Sequence, residues 1–291
     1  MPEGPSIVLA KEALRPLIGL TVKTAEGNTK KVDIEKLSNT RLKSVRSWGK
    51  HLLLKFNDLT LRVHFLMFGS YTVSTPKPGR SPRLAIYLEN GEALFLYACA
   101  ITTIEGPVSR IYDWSADVMS SKWNPEKAKT KLRKHPNALI CDALLDQEIF
   151  SGVGNIIKNE VLFRMRVHPL NKVEDIPIRR LKAIVEDARE YSFLFLKWKR
   201  AFVLKKHWQA HARKKCPRDG HTLTKIYPGV RRRRAFFCDH CQELFVTSPS
   251  NKPAVISRRE NKLASQRTNS TQFRKKNAVS VGAKQHKKTR R

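Results

Sequence analysis

The sequence predicts an α+β protein of several domains: an N-terminal helix with an antiparallel β-sandwich, then a helical bundle, then a short C-terminal hairpin unit and a basic tail. Between about residues 20 and 113, short alternating runs of apolar and polar residues are separated by Gly, Asn and Asp, which is typical of antiparallel strands. Beyond residue 125, apolar residues recur three and four positions apart, which indicates helices. The chain has 291 residues, and a single core rarely grows beyond about 250.

The chain begins with a predicted helix over residues 7–18. Ile7, Leu14 and Ile18 share one helical face, Ser6 is available as an N-cap, and Gly19 lies just past the end. The strands follow. The longest apolar stretch, residues 93–104, is predicted to form buried strands, because a membrane-spanning helix needs roughly 18 or more apolar residues.

Three amphipathic patterns predict helices over residues 138–150, 156–165 and 178–199. Gly152 and Gly154 lie in the turn between the first two and permit a close approach of the backbone to another group. Exposed amides at the start of the next helix, with Asn155 and Lys158, would form an anion site suited to a nucleic-acid phosphate. The alternative is a plain connector whose glycines only end the first helix.

The charge of the chain points to a polyanionic partner. It carries 57 Lys and Arg against 25 Asp and Glu, a net charge of +32 with a pI near 10.4, which excludes an ordinary neutral metabolic enzyme and favours nucleic acid. Residues 247–291 hold thirteen basic residues and one acid with almost no apolar periodicity, so we predict a disordered tail. We expect no secretory signal at the start of the chain, and the odd number of cysteines argues against a disulfide framework.

Three of the five cysteines cluster near the C-terminal end and predict a zinc site. Cys216 and His221 are separated by four residues, Cys238 and Cys241 by two, and sixteen residues lie between the pairs. Thiolate and imidazole are zinc ligands, and four protein ligands leave no position for a reactive water, so the ion would be structural. His240 is a rival to His221, but it lies between Cys238 and Cys241. The alternative is a group of reduced thiols without metal.

Four consecutive arginines, Arg231 to Arg234, lie inside the predicted hairpin beside Phe236 and Phe237. Such a run is usually a solvated basic face. On a hairpin held by zinc it would be rigid, and arginine forms paired hydrogen bonds with phosphate oxygens. The phosphate interpretation is therefore favoured.

Four separated motifs resemble one known family. They are Pro2-Glu3-Gly4-Pro5, Gly49-Lys50-His51-Leu52-Leu53, Leu144-Leu145-Asp146-Gln147 with Gly152-Val153-Gly154-Asn155-Ile156, and Phe237-Cys238-Asp239-His240-Cys241-Gln242. In this order, over about residues 1–245, they resemble formamidopyrimidine-DNA glycosylase and endonuclease VIII. Gly4, where the former typically has Leu, makes the chain more similar to the endonuclease VIII branch. The resemblance implies a catalytic β-sandwich domain (1–120), a helix–two-turn–helix DNA-binding domain (121–205) and a zinc finger (206–246), and the tail predicted from composition (247–291) follows them.

The resemblance also implies the catalytic residues. Pro2 would become the amino terminus after removal of Met1, and its secondary amine, with an α-amino pKa of about 7.7–8.0, would attack C1′ of a deoxyribose and form a Schiff base. Glu3 would serve as the acid and base that opens the sugar ring. Lys50 would act in catalysis and phosphate binding.

Two further regions would contact DNA. Arg233 resembles the finger arginine that binds phosphate and assists δ-elimination, with Arg232 as the alternative register. Met67, with its neighbours Leu66 and Phe68, resembles the loop that fills the gap left by a flipped-out base. Without the resemblance, a core strand with a methionine filling a gap would be an equal interpretation.

Three departures from the family pattern bear on metal binding and specificity. Ser6 stands where members commonly have Glu, and Cys216-x4-His221 replaces the usual Cys-x2-Cys first knuckle. Residues 98–103 contain no arginine where many relatives place one opposite the damaged base, so a shifted lesion spectrum is expected.

The resemblance implies a bifunctional DNA glycosylase and AP lyase of base excision repair that excises oxidised bases, preferentially pyrimidines, and cleaves the strand by β,δ-elimination. Its partner would be damaged double-stranded DNA, and it would act as a monomer away from membranes, in the cytoplasm and nucleoid of a bacterium or the nucleus of a eukaryote. The alternatives are a non-catalytic zinc-finger DNA-binding protein and an RNA- or ribosome-associated binder. These differ in whether Pro2 forms a covalent adduct.

Overall fold

The computed structural model describes residues 2–245. Met1 and residues 246–291 lie outside the described residues, and the tail predicted at 247–291 lies there with them. No helix within the described part of the chain is long and apolar enough to cross a membrane.

Eight strands form the predicted antiparallel sandwich. One four-stranded sheet has the order β1-β6-β7-β5, the other β2-β3-β4-β8, and all pairings are antiparallel. One apolar core contains inward-facing residues of both sheets, such as Leu52 and Val63 from one and Ile86 and Leu96 from the other. The strands are β1 Val22–Gly27, β2 Ser44–Trp48, β3 His51–Lys55, β4 Thr60–His64, β5 Ser70–Val73, β6 Leu84–Leu88, β7 Ala93–Tyr97 and β8 Ala100–Ile104.

The first helix, α1, spans Gly4–Ala13 and packs against β2, β3 and the last helix. It begins earlier than the sequence predicts, with Glu3 rather than Ser6 at the N-cap, because Pro5 in the first turn is already pre-set for helical φ. A 3₁₀ turn at Arg15–Leu17 continues it to the predicted end.

Four helices follow the sandwich: α2 Pro125–Arg133, α3 Ile140–Ala143, α4 Asn155–Arg164 and α5 Ile178–Arg200. The predicted helix over residues 138–150 is wrong in length, since α3 has four residues. Polar side chains after it take over backbone groups that a helix would use. The Asp146 carboxylate accepts from the Glu148 amide at 2.9 Å, and the Gln147 amide donates to the Val153 carbonyl at 3.1 Å.

The last element is a short hairpin of β9 Thr224–Ile226 and β10 Ala235–Phe237. All three β10 residues are buried, and the strand packs against α4. The loop between the strands therefore carries the four arginines at the side of α4.

Candidate active site and nucleic-acid interface

Three distant segments meet because glycines allow their backbones to touch. The amide of Gly4 donates to the carbonyl of Gly152 at 2.9 Å, and a Cβ on Gly4 would lie 2.9 Å from the Gly152 Cα. Gly49, with φ +50, approaches the turn from the other side, where an added Cβ would lie 2.0 Å from the Ser151 Oγ. The amino terminus, the β2–β3 turn and the turn before α4 thus form one site.

Glu3 is the buried centre of this site. Its side chain is 1% exposed, and its carboxylate accepts from the amides of Gly154 at 3.1 Å, Ile156 at 2.8 Å and Ile157 at 3.3 Å, the first turn of α4. A helix N-terminus favours a negative charge. Burial nevertheless raises the pKa of Glu3, although the three hydrogen bonds and the charge of Lys50 act to lower it. A raised pKa suits a carboxyl group that must give and take a proton.

Lys50 supplies the opposing charge in the β2–β3 turn, directly after Gly49. Burial lowers the pKa of its ammonium to about 8, the Glu3 carboxylate opposes that shift, and the charges of Arg233 and Arg231 add to it. Lys50, Glu3 and the arginine loop are therefore close enough to influence one another. Pro2, partly buried, precedes Glu3 in the chain.

Asp117 is a contributor that the sequence reasoning missed. Its buried carboxylate accepts from the Gly49 amide at 3.2 Å and the Met119 amide at 2.9 Å, which holds the turn that carries Lys50. Burial raises the pKa of Asp117 to about 6. A lone acid between the apolar residues Ala116 and Val118 was the available signal.

Asn155 and Lys158 lie one turn apart on α4, but only Asn155 is at the surface. Lys158 is 0% exposed, and its ammonium donates to the Asn155 side-chain oxygen and to the Arg234 carbonyl, each at 2.9 Å. The expectation that Lys158 binds DNA directly is therefore corrected. Residues three positions apart lie on the same side of a helix, and here the hairpin covers Lys158 while Asn155 stays at the surface.

The arginine loop faces solvent. All four side chains, Arg231 to Arg234, are exposed, and Arg232 has left-handed backbone geometry with φ +44. The guanidinium of Arg231 lies 3.3 Å from the Asp146 carboxylate. The loop thus presents four exposed guanidinium groups, and that of Arg231 is paired with the helical part.

The turn between β4 and β5 exposes the three apolar residues of the predicted wedge. Leu66 is 47% exposed, Met67 53% and Phe68 80%, so they do not belong to the sandwich core. The turn is tight, since the Gly69 amide donates to the Phe65 carbonyl at 2.7 Å. Exposed apolar side chains on a tight turn are suited to insertion between bases.

Four possible metal ligands converge beside the hairpin: Cys216, Asp219, Cys238 and Cys241, with ligand atoms within 4.8 Å of one another. Cys216 Sγ lies 3.8 Å from Cys241 Sγ, and Cys238 Sγ lies 3.2 Å from an Asp219 oxygen. Four ligands around one ion with Zn–S of about 2.3 Å would be about 3.8 Å apart. Three thiols and one carboxylate therefore fit a tetrahedral zinc ion.

His221, the fourth ligand expected from the sequence, lies outside this cluster. Its ring stacks on His240 at 3.7 Å, and its Nδ1 is 3.3 Å from an Asp219 oxygen. Asp219 lies in the cluster because the knuckle turns back at this point, where the Gly220 amide donates to the Cys216 carbonyl. The sequence held a signal, since Cys216 and Asp219 have the same two-residue spacing as Cys238 and Cys241.

Comparison with known proteins assigns the fold. The model of the formamidopyrimidine-DNA glycosylase N-terminal domain matches residues 1–98, and that of the formamidopyrimidine-DNA glycosylase H2TH domain matches residues 115–191. The chain belongs to the formamidopyrimidine-DNA glycosylase and endonuclease VIII family. This confirms the resemblance and the predicted fold class of this family member.

Relatives of this glycosylase-family chain include two mouse proteins. It is 31% identical over 207 residues to Endonuclease 8-like 3 of Mus musculus, covering 68% of this chain and 34% of that protein. It is 31% identical over 210 residues to Endonuclease 8-like 2 of Mus musculus, covering 67% of this chain and 61% of that protein. The chain thus spans about a third of the length of the first relatives and under two thirds of the second.

Two solved structures share the fold. A viral DNA glycosylase superposes with a TM-score of 0.73 at 22% identity, covering 83% of this chain and all of that one. The Lactococcus lactis formamidopyrimidine-DNA glycosylase, solved with DNA containing an AP site, superposes with a TM-score of 0.74 at 21% identity. The match covers 83% of this chain and 99% of that one.

Proposed function

We propose that this chain is a bifunctional DNA glycosylase and AP lyase of base excision repair. Its substrates are oxidised bases, preferentially pyrimidines, in double-stranded DNA, on which it acts as a monomer. The observation that carries the proposal is the buried Glu3 carboxylate on the N-terminus of α4, next to Pro2 and electrostatically coupled to Lys50. Relatives named as endonucleases and glycosylases support the same class of reaction.

Pro2 supplies the nucleophile once Met1 is removed. The proline nitrogen bonds to C1′ as the bond from C1′ to the base breaks, and the base leaves with the bonding electrons. The amine proton passes to Glu3, which returns a proton to the ring oxygen O4′ as the ring opens. The product is an iminium between the chain and the opened sugar.

The iminium makes the C2′ proton acidic, and this drives strand cleavage. Removal of that proton expels the 3′ phosphate, and a second elimination expels the 5′ phosphate. Lys50 and Arg233, whose charges lie close together, neutralise the phosphates. Asn155 at the first residue of α4 binds a phosphate with its amide group.

The metal has a structural role in this proposal. Cys216, Asp219, Cys238 and Cys241 would hold zinc and close a hairpin that has little core of its own. Zinc would supply a fixed frame for the arginine loop and would take no part in bond breaking. The protein acts where its DNA is, in the nucleus of a eukaryotic host or the cytoplasm and nucleoid of a bacterial one.

Borohydride trapping on duplexes with an abasic site or an oxidised base tests the nucleophile. The mature protein should give a covalent adduct, and a protein with an uncleaved extension ahead of Pro2 should give none. The same extension placed at the C-terminal end is the matched control and should leave trapping intact. Trapping by the N-terminally extended protein would show that another amine forms the imine.

The same experiment separates the alternatives. A protein that binds duplex DNA tightly and yields no adduct on any lesion would be a non-catalytic DNA-binding protein. A preference for RNA without an adduct would indicate an RNA binder. Trapping on a panel of duplexes, each with an oxidised pyrimidine or purine paired with one of the four bases, ranks the lesions by adduct yield.

A further inference from the structure

A lysine is buried beneath the proposed phosphate-binding surface, where lysines are rarely found. Lys158 is 0% exposed, and both hydrogen-bond acceptors of its ammonium are neutral oxygens. Burying a cation whose hydrogen-bond acceptors are neutral is costly, and burial lowers the pKa of Lys158 to about 8. The mechanism above gives this residue no task, yet it touches two elements that the mechanism uses.

Its first contact orients Asn155. An ammonium has only donors, so the side-chain atom of Asn155 that faces it at 2.9 Å must be the oxygen. The amide NH₂ of Asn155 then points away from Lys158. Asn155 is partly exposed at the first residue of α4, so the end of its side chain that remains free is the donor that a phosphate needs.

Its second contact holds the arginine loop. The Arg234 carbonyl accepts from the Lys158 ammonium at 2.9 Å and from the Asn159 side-chain amide at 3.3 Å. At the other end of the loop, the Val230 amide donates to the Asp142 carboxylate at 2.8 Å. The loop backbone is therefore fastened at both ends to the helical part, and one end depends on Lys158.

We propose that Lys158 is a positioning residue that pre-sets two phosphate contacts at once: the donor group of Asn155 and the arginine loop. It does so from beneath the surface, without touching DNA. Both contacts are thereby ordered before DNA arrives, so that binding does not have to order them. The inference rests on the proposed function for the identity of the ligand, a duplex with an abasic site.

The test substitutes Lys158→Met in the full chain, with Lys182→Met as the matched control. Lys182 is an exposed lysine of α5, so its loss removes the same formal charge without the buried contacts. Binding to a duplex with a tetrahydrofuran abasic analogue is measured by fluorescence anisotropy at several salt concentrations. Products on a natural abasic site are resolved into β- and δ-elimination products.

Lys158→Met should weaken binding about tenfold and lower the slope of log affinity against log salt by about one, because the displaced arginine loop loses one charged phosphate contact. The share of δ-elimination product should fall, while borohydride trapping at saturating DNA stays at the wild-type level. Lys182→Met should change none of these by comparable amounts. A folded Lys158→Met protein with wild-type slope and product ratio would overturn the proposal.

Two further variants keep the inference testable. In an Asn155→Ala background, Lys158→Met should cost less affinity than in the wild type, because the Asn155 contact is already gone and only the arginine-loop contact is left to lose; full additivity contradicts the coupling. Lys158→Gln keeps donors but is too short to reach both acceptors, and it replaces the methionine variant if that does not fold, with the same expected slope. If the wild-type protein binds the duplex but gives no borohydride adduct, the proposed function fails. The binding measurements on the variants still decide the role of Lys158 in that case.

Discussion

Gly154→Ala offers a sharp test of how Glu3 is held. The backbone of Gly154 has φ −120 and ψ −163, a conformation open to any residue, so alanine brings no backbone strain. The new Cβ would lie 2.4 Å from the carboxyl carbon of Glu3, whereas ordinary contacts begin at 3.4 Å. The carboxyl group must therefore retreat by about 1 Å from the amides that bind it.

Two effects of this displacement can be measured. Overpacking of this kind costs about 1–3 kcal/mol of stability, and a misplacement of 1 Å at a reacting group costs about 10²-fold in rate. Urea denaturation measures the first, and single-turnover excision from a lesion duplex measures the second.

A second background isolates the clash. With Glu3→Ala the space is empty, so adding Gly154→Ala should cost less than about 1 kcal/mol, the difference between alanine and glycine at an N-cap. The two substitutions should therefore couple. Equal destabilisation by Gly154→Ala in both backgrounds, or full excision activity of the single variant, would refute the reasoning.

Three other outcomes are expected. Because the pKa of Lys50 is lowered to about 8, raising the pH from about 7 to 9 should neutralise it and weaken binding to an abasic-analogue duplex, measured by anisotropy. Lys50→Arg keeps its charge and should make the fall shallower, leaving the part that Lys158 contributes; an unchanged fall in Lys50→Arg, or no fall in the wild type, would contradict this. Chelation or Cys238→Ser should release the hairpin and abolish strand incision, whereas unchanged incision after verified metal loss would remove zinc from the account. Met67→Ala should slow excision of a paired damaged base more than cleavage at a preformed abasic site, compared on gels; equal slowing argues against a wedge.

Local patterns in the sequence predicted the elements with strong periodicity. The predicted helix at 178–199 matches α5, Ile178–Arg200, because a long amphipathic stripe has few competing structures. The predicted helix at 138–150 was wrong because side-chain hydrogen bonds from Asp146 and Gln147 override an apolar pattern that both a helix and a folded turn satisfy.

The site was only partly predictable, because its parts come from distant segments. The motifs named Glu3, Lys50 and Asn155. An acid between apolar neighbours marks Asp117, but that local signal does not show that it supports the Lys50 turn across 68 residues. Lys158 was assigned to the surface since its burial depends on a hairpin some 76 residues later. Asp219 was not predicted as a ligand, because the prediction paired Cys216 with His221 as the first of two zinc knuckles; the cluster of possible ligands contains Asp219 instead.

The bonds of Glu3 span the chain from its third residue to the amide of Gly154, a separation of 151 residues. During synthesis at about 5–20 residues per second, roughly 8 to 30 s therefore pass between the emergence of the two partners from the ribosome. In that interval Glu3 lacks the α4 amides that bury it. Under the proposed function Met1 must be removed for Pro2 to act, and the open site leaves time for that removal before α4 encloses Glu3.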